Sequence, residues 1–146
     1  MPNTMTAQDK LDVMELIARY AQCIDGGDLD GYVANFVADG VIDWGNGVCN
    51  GREEIRHWVG GLMAGGRIGG VPAVTRHFVG LPYVSGDSVR AKARTYVTIF
   101  TLTEAGRVWV PSVGSYTDTV VKTPEGWLFQ KRIIASDLGS FTQREP

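Results

Sequence analysis

The positions of the hydrophobic residues predict helices in the first half of the chain. Between residues 11 and 24, apolar side chains recur every three to four positions, which is the spacing of one face of an amphipathic helix. Thr6, followed three residues later by Asp9, predicts the N-terminal cap of this helix, and the Gly26-Gly27 pair predicts its end. The residues predicted to face inward are Val13, Met14, Ile17, Tyr20, Ala21 and Ile24.

Two further helices and a short strand are predicted between residues 28 and 63. Asp28 can cap a short second helix, residues 41–44 are typical of a strand, and residues 52–63 predict a third helix. Residues 65–70 predict a glycine-rich loop that lacks the sequence of a phosphate-binding loop. The residues of these two helices predicted to face inward are Leu29, Tyr32, Val33, Phe36, Ile55, Trp58, Val59 and Leu62.

From Pro72 onward the pattern changes to alternation, which predicts strands at residues 74–81, 88–102, 107–122 and 127–135. Helices followed by an antiparallel meander indicate one α+β domain over residues 1–146. We expect the N-terminal helices to pack on a strongly curved antiparallel sheet that encloses one apolar pocket. One face of the strand at 88–102 is predicted to comprise Val89, Ala91, Ala93, Thr95, Val97 and Ile99.

Composition and charge exclude several classes of function. Fourteen basic and sixteen acidic residues give a net charge of −2, which argues against binding to nucleic acid or to a membrane surface. Cys23 and Cys49 have no neighbouring Cys or His at metal-binding spacing, so no metal site is predicted. The polar N-terminus predicts neither a signal peptide nor a membrane span, and a soluble protein of the cytoplasmic compartment is expected.

Asp25 is the first candidate for chemistry, because it is an acid placed beside the buried face at the end of the first helix. A carboxylate in that position must be hydrogen-bonded, paired or neutral, since burial disfavours its charge. Such a group can serve as a base in proton abstraction. The alternative is that Asp25 only caps the turn at Gly26-Gly27 or the second helix.

His77 is the second candidate, on the strand that begins the sheet. A histidine beside a carboxylate makes a base that can be tuned near neutral pH. Its alternative role is that of a core histidine bonded to a backbone carbonyl. The other histidine, His57, lies among charged residues of the third helix and is predicted to be on the surface.

Arg132 is the third candidate. Strict alternation in the last strand turns either Lys131 or Arg132 toward the face that the helices cover. An inward arginine could stabilise a developing anion, or form a structural ion pair with an acid such as Asp25. We expect Asp118 and Asp137 to be solvated. The hydroxyls of Tyr20 and Tyr116 are further candidate donors. Strict alternation groups Leu128, Gln130, Arg132 and Ile134 on one face, and Trp127, Phe129, Lys131 and Ile133 on the other.

Four segments resemble the SnoaL-like branch of the nuclear-transport-factor-2-like (NTF2-like) superfamily, whose fold is an α+β cone. They are IARY at residues 17–20 leading to Asp25, YVANFVADG at 32–40, GREEI at 51–55 and GWLFQKR at 126–132. The resemblance covers nearly the whole chain. It specifies the fold better than the chemistry, because this superfamily has many unrelated functions.

The resemblance implies a catalytic role for four residues. Asp25 and His77 are similar in position to the catalytic pair of scytalone dehydratase and lindane dehydrochlorinase, and Arg132 resembles the assisting arginine of the latter. Tyr20 resembles the bile-acid dehydratases, whereas the dehydrochlorinase has lysine there, so hydroxide is favoured over chloride as the leaving group. The second histidine of scytalone dehydratase has no counterpart here.

The implied function is a cofactor-free lyase that performs a dehydratase-type elimination on a small hydrophobic molecule, with a cyclic one favoured. His77 would take the proton, Asp25 would orient it, and Tyr20 and Arg132 would act on the substrate oxygen. The residues predicted to bind the substrate are Thr95, Val97, Tyr116 and Ser136.

Two alternatives stay open at this stage. A ketosteroid-isomerase-like or polyketide-cyclase-like enzyme would use Asp25 itself as the base; the isomerase is a known example of this arrangement. A non-catalytic binding protein or assembly subunit would keep Asp25, His77 and Arg132 as a buried structural network. A homodimer or homotrimer is expected for this fold.

Overall fold

The computed structural model describes residues 4–65, 67–68 and 71–137. Of the predicted loop at 65–70, residues 66, 69 and 70 therefore lie outside the described part of the chain, as do residues 138–146. The helices are α1 (Ala7–Gly26), α2 (Leu29–Ala34) and α3 (Gly51–Gly65). The strands are β1 (Phe36–Asp43), β2 (Val48–Asn50), β3 (Arg67–Ile68), β4 (Val71–Val79), β5 (Tyr83–Gly86), β6 (Arg90–Thr103), β7 (Val108–Thr123) and β8 (Gly126–Ser136).

The strands form one sheet in the order β2-β1-β8-β7-β6-β4-β3, with β5 paired to β6. The helices pack against this sheet, α1 on β4 and β8 and α3 on β1, which confirms the predicted α+β fold. The three long strands β6, β7 and β8 are antiparallel neighbours, as predicted. However, β1 runs parallel to β8, so the prediction of a wholly antiparallel sheet is wrong at that edge.

Asp9 fastens the beginning of α1 to the sheet. Its carboxylate accepts hydrogen bonds from the backbone and hydroxyl of Thr6, which completes the predicted cap, and from Lys122 Nζ (2.6 Å) and Trp127 Nε1 (3.1 Å). Lys122 and Trp127 lie on β7 and β8 beside their hairpin. Four donors around one buried carboxylate thus connect the beginning of α1 to the end of the sheet at the β7–β8 hairpin.

Burial confirms most of the predicted inward positions and corrects a few. In α1 the predicted face is buried except for Met14 and Ile24, which are half-buried, and the pattern missed Leu16, which is fully buried. Leu62 was predicted to face inward and is 51% exposed, so that prediction is wrong. Val89, predicted to share one strand face with Ala91, instead lies outside β6 and is 61% exposed. Phe36 is buried as predicted, but it begins β1 because α2 ends two residues earlier.

A β-bulge in β8 changes which side chains face inward. Thr119 on β7 is opposite Lys131, whereas the next residue, Val120, is opposite Phe129, so Gln130 is an extra residue without a partner. The alternation of inward and outward positions therefore shifts by one residue at Gln130. As a result Phe129 and Arg132 are both fully buried, although strict alternation placed them on opposite faces.

Arg132 forms a fully buried ion pair with Asp118. Its Nε and Nη2 atoms donate to the two oxygens of Asp118 at 2.7 Å each, in a bidentate arrangement. Burial is the largest single effect on Arg132 and lowers its pKa, but the charge and hydrogen bonds of Asp118, together with Tyr20 and Tyr116, outweigh burial, so the pKa of the guanidinium is raised. Asp118 is therefore buried rather than solvated, and the structural partner of Arg132 is Asp118 rather than Asp25.

The outer face of the sheet exposes large apolar side chains. The exposed apolar residues of β4, β6, β7 and β8 are Val74, Phe78, Tyr96, Phe100, Leu102, Val108, Val110, Val113 and Ile133. The predicted homodimer or homotrimer is not tested by a single chain and stays a prediction.

Within the described residues, no helix is long and apolar enough to cross a membrane.

We predict that Asp9→Asn makes the protein less stable at neutral pH and removes part of its sensitivity to acid. The hydrogen bond from Lys122, and then those from Thr6, lower the pKa of the Asp9 carboxyl well below its ordinary value of 3.8. The stabilisation is therefore complete above the ordinary pKa and is lost as the pH falls below it. The difference between the urea midpoints of wild type and variant, measured between about pH 6 and pH 2.5, should narrow steadily toward the acidic end. Glu15→Gln, an exposed acid on the same helix, is the control, and parallel curves for wild type and Asp9→Asn would contradict the prediction.

We also predict that breaking the Arg132–Asp118 pair costs more than replacing it. Asp118→Ala leaves a buried charge unpaired and should lower the free energy of unfolding by about 3–5 kcal/mol. The double variant Asp118→Leu with Arg132→Met removes both charges and should recover much of that loss. Urea denaturation of both variants provides the comparison, and a double variant less stable than Asp118→Ala would contradict it.

Candidate active site

The end of α1 meets β4 through Asp25 and His77. Asp25 Oδ1 lies 2.7 Å from His77 Nδ1, and Asp25 Oδ2 accepts the backbone N–H of His77 at 2.7 Å. Both side chains are 12% exposed. Asp25 does not cap the turn, because Gly27 ends the helix in the left-handed conformation with its own N–H bonded to backbone carbonyls. The His77 ring, likewise, bonds a carboxylate and not a backbone carbonyl.

The two hydrogen bonds determine how the His77 ring can act. A carboxylate only accepts hydrogen bonds, so we assign the proton of the neutral imidazole to Nδ1. The second bond, from the backbone of His77, fixes the orientation of the Asp25 carboxylate. The other ring nitrogen, Nε2, carries a lone pair and is not engaged by Asp25. This arrangement provides an oriented base whose protonated form has a negative charge beside it.

The sheet register places the four predicted substrate-binding residues in two adjacent rows on the inner face. Thr95 is directly opposite Tyr116, and Val97 is opposite Gly114, whose other partner is Ser136. Thr95, Val97 and Tyr116 are buried, whereas Ser136 is half-buried. The next row contains His77, opposite Ile99 on β6. The sequence therefore selected residues that the fold brings together, while their role as substrate ligands stays a prediction.

Aromatic rings surround the Arg132 guanidinium. Its central carbon lies 4.1 Å from the ring centre of Tyr20, 3.9 Å from that of Tyr116 and 4.2 Å from that of Phe129. Tyr32 donates a hydrogen bond to the hydroxyl of Tyr20 at 2.7 Å. Burial is the main cause that raises the pKa of Tyr20, Tyr32 and Tyr116, so these phenols stay protonated and can donate hydrogen bonds.

The negative charge of Asp25 acts on this aromatic cluster. Burial raises the pKa of Tyr116 most, the charges of Tyr20, Asp118 and, least, Asp25 add to this effect, and Arg132 opposes it. Asp25 is therefore within electrostatic range of Tyr116, one of the rings that face Arg132.

Several buried polar atoms of the described residues have no hydrogen-bond partner. Two belong to residues that the sequence identified as candidates, Thr95 and Arg132. Two others belong to Thr101 and Trp109, which sequence reasoning missed. The alternation in β6 places Thr101 on the inner face, two residues after Ile99, so the sequence does indicate that Thr101 faces inward. For Trp109 a bulge interrupts the alternation, and the sequence gives no such indication. The atoms are Asn35 Nδ2, Thr95 Oγ1, Thr101 Oγ1, Trp109 Nε1 and Arg132 Nη1.

A groove of about 570 Å³ lies elsewhere, on α3 and β2. No predicted site residue lines it, and His57 is exposed there, as the sequence predicted. The Asp25–His77 ion pair and the unpartnered buried donors of Thr95, Thr101, Trp109 and Arg132 all lie outside this groove, so we place the candidate site on the inner face of the sheet. The groove is lined by Cys49, Glu53, Glu54, His57 and Trp58.

A metal ligand set is not found within residues 4–65, 67–68 and 71–137. Among them, no group of three or more His, Cys, Asp or Glu side chains has an arrangement that could hold a metal ion. The polar groups of the inner face are suited to contact an organic molecule through hydrogen bonds.

Many solved structures are similar to this chain, and the following three match most of its length. A protein of unknown function with a cystatin-like fold from Nostoc punctiforme has 26% identity and a TM-score of 0.80, over 93% of this chain and 96% of its own. An NTF2-like protein with a cystatin-like fold from Novosphingobium aromaticivorans has 28% identity and a TM-score of 0.77, over 94% and 90%. Aln2 from a Streptomyces species has 26% identity and a TM-score of 0.80, over 92% and 95%. No curated protein matches the sequence significantly.

The family model of the SnoaL-like domain matches residues 5–133. Proteins of this NTF2-like superfamily are often enzymes that process small molecules. The match begins just before α1 and ends in β8, so it includes Asp25, His77 and Arg132. The chain therefore belongs to the SnoaL-like family of the NTF2-like superfamily, as its sequence predicted.

Proposed function

We propose that the protein is a cofactor-free lyase that removes a proton from carbon in a small hydrophobic, cyclic molecule and expels hydroxide. The observation that carries the proposal is the pair of hydrogen bonds between Asp25 and His77, one to the ring and one to the backbone. This geometry supports His77 as the general base and Asp25 as the residue that orients it. The SnoaL-like family supports a small molecule as the substrate.

The reaction begins with proton transfer from carbon to Nε2 of His77. The imidazolium that forms is stabilised by the adjacent carboxylate of Asp25, as in the Asp–His half of a hydrolase triad. The electrons of the broken C–H bond form a carbon–carbon double bond as the C–O bond to the leaving hydroxyl breaks. His77 then returns the proton to the leaving oxygen, so that water departs and the base is regenerated.

The substrate oxygen is placed against the fixed donors of the inner face. Asp118 already offsets the charge of Arg132, so Arg132 acts through Nη1, a buried hydrogen-bond donor without a partner. Thr95 Oγ1 is a second such donor. Tyr20 accepts from Tyr32, which leaves its own hydroxyl hydrogen to donate. Donors fixed in a dry interior stabilise negative charge on oxygen more than donors in water do.

The hydrogen bonds of Asp25 favour this mechanism over the isomerase-like alternative. If Asp25 were the base, one of its oxygens would have to face the substrate carbon. Both oxygens are instead occupied by His77 at 2.7 Å. Nε2 of His77 is the basic atom that this arrangement leaves available to a substrate.

We predict that His77→Gln lowers catalysed proton exchange by about 10²–10⁴-fold, the usual contribution of a general base. The probe is β-tetralone, a bicyclic ketone with an acidic methylene, and NMR in deuterium oxide follows exchange of its protons above the uncatalysed rate. His57→Gln is the matched control, because it changes the only other histidine, which is exposed on α3. Exchange that survives His77→Gln within about tenfold would exclude His77 as the base.

Asp25→Asn and His77→Gln together separate the two enzymatic mechanisms. If Asp25 orients His77, this variant should lose both exchange and the fixed Nδ1–H tautomer, which nitrogen NMR of the ring reports. An enzyme with Asp25 as base would instead lose exchange in Asp25→Asn and retain it in His77→Gln. Dehydration of racemic 3-hydroxycyclohexanone, followed by the absorbance of the enone, then tests elimination itself. A protein that binds β-tetralone but exchanges none of its protons would favour the binding-protein alternative.

A further inference from the structure

Thr101 and Trp109 present an unexplained pair of polar groups on the inner face. Thr101 is fully buried and Trp109 is 7% exposed, and neither Thr101 Oγ1 nor Trp109 Nε1 has a hydrogen-bond partner. They are opposite each other in the pairing of β6 with β7. Directly opposite residues of an antiparallel pair have Cβ atoms about 4.5–5.5 Å apart, so the two groups form one small polar patch.

A β-bulge turns Trp109 inward. Ile99 is opposite Ser112 and Thr101 is opposite Trp109, so Val110 and Pro111 together oppose the single residue between them on β6. Pro111 has no N–H to donate and is accommodated within the sheet at this irregularity. Val110 is 43% exposed, whereas Trp109 and Ser112 are buried, which shows that the alternation shifts across the bulge.

The patch lies next to His77 in the lattice of strand pairs. His77 is opposite Ile99, and Thr101 is two residues farther along β6, opposite Thr75. Diagonal neighbours of this kind are about 7–8 Å apart, a distance that a molecule of two fused six-membered rings can span. Thr95, which lies near Tyr116 and the Arg132 cluster, is on the other side of Ile99 along β6.

We propose that Thr101 and Trp109 form a second polar subsite, which binds an acceptor oxygen on the part of the substrate remote from the transferred proton. An indole N–H only donates, so its partner must be an acceptor such as a carbonyl, ether or hydroxyl oxygen. A buried polar group without a partner is unfavourable, and a ligand oxygen relieves two such groups at once. This inference rests on the proposed function only in taking His77 as the position of proton removal. It predicts that the substrate is a bicyclic molecule with an oxygen on the ring remote from that position.

The first test needs no ligand. Thr101→Val keeps the shape of the side chain while removing the hydroxyl, whereas Trp109→Phe also leaves a cavity, so the stability test uses Thr101→Val. If the hydroxyl has no structural partner, this variant should unfold at the same temperature as wild type or higher. A midpoint lowered by more than about 3 °C would show that the hydroxyl is satisfied within the folded protein, and would overturn the subsite.

The second test compares β-tetralone with 6-methoxy-β-tetralone, which adds one ether oxygen on the far ring. Isothermal titration with the His77→Gln variant, which leaves the ketones unreacted, should show about threefold to tenfold tighter binding of the methoxy compound. Adding Trp109→Phe or Thr101→Val should remove that preference and leave the affinity for β-tetralone unchanged. Equal affinities for the two ketones, or a preference that survives both substitutions, would overturn the proposal.

The indole protons provide an internal control. The Trp109 N–H signal, assigned from the Trp109→Phe variant, should move downfield with 6-methoxy-β-tetralone and less with β-tetralone. The N–H of Trp127 is bonded to Asp9 and should not move. Because binding is measured without turnover, a wild-type protein that shows the preference but no proton exchange contradicts the proposed function alone. Exchange without the preference contradicts the subsite alone.

Discussion

The buried pair of Arg132 and Asp118 is the constraint around which the interior is organised. A guanidinium in a dry interior is stable only if a charge and hydrogen bonds offset its lost hydration. Asp118 supplies two of those bonds at 2.7 Å, and three aromatic rings face the cation within 4.2 Å. The bulge at Gln130 turns Arg132 inward, so one extra residue in β8 places a positive charge at the centre of the fold.

Helix α1 positions Asp25 in the candidate site, because a carboxylate near each end of the helix bonds it to the sheet. Asp9 bonds to side chains of β7 and β8, and Asp25 bonds to β4, sixteen residues later. At 1.5 Å per residue the two anchors are about 24 Å apart along the helix, so α1 spans the sheet. Both oxygens of Asp25 are hydrogen-bonded to His77, and the helix that carries Asp25 is itself bonded to the sheet through Asp9. This anchoring provides the fixed geometry that an oriented base requires.

Most of the fold followed from periodicity in the sequence, because helical and alternating patterns are local properties. The capping box at Thr6, the three long strands and the inward positions Thr95, Val97 and Tyr116 are of this kind. What periodicity missed depends on contacts between distant segments. The parallel pairing of β1 with β8 is one example, and the partner of Arg132 is another. The bulge at Gln130 breaks an alternation that the sequence alone gives no reason to interrupt, so the burial of Phe129 stayed hidden. Pro111 indicates an irregularity in the neighbouring strand, but it does not by itself say that Trp109 turns inward.

The candidate pair Asp25–His77 was accessible to sequence reasoning for a different reason. Each residue is a titratable group on an otherwise apolar face, and the resemblance to a family joined them across fifty-two positions. For Thr101 the alternation of β6 indicates only that the side chain faces inward, and neither Thr101 nor Trp109 stands out chemically, because threonine and tryptophan are ordinary residues of a buried strand. Only the hydrogen bonds that they lack in the folded chain distinguish them. The fold provides hydrogen-bond partners for Asp9, for Asp118 and for Nε and Nη2 of Arg132, yet it leaves several inward donors without a partner. These unpaired donors are the groups to which a bound substrate would supply acceptor oxygens.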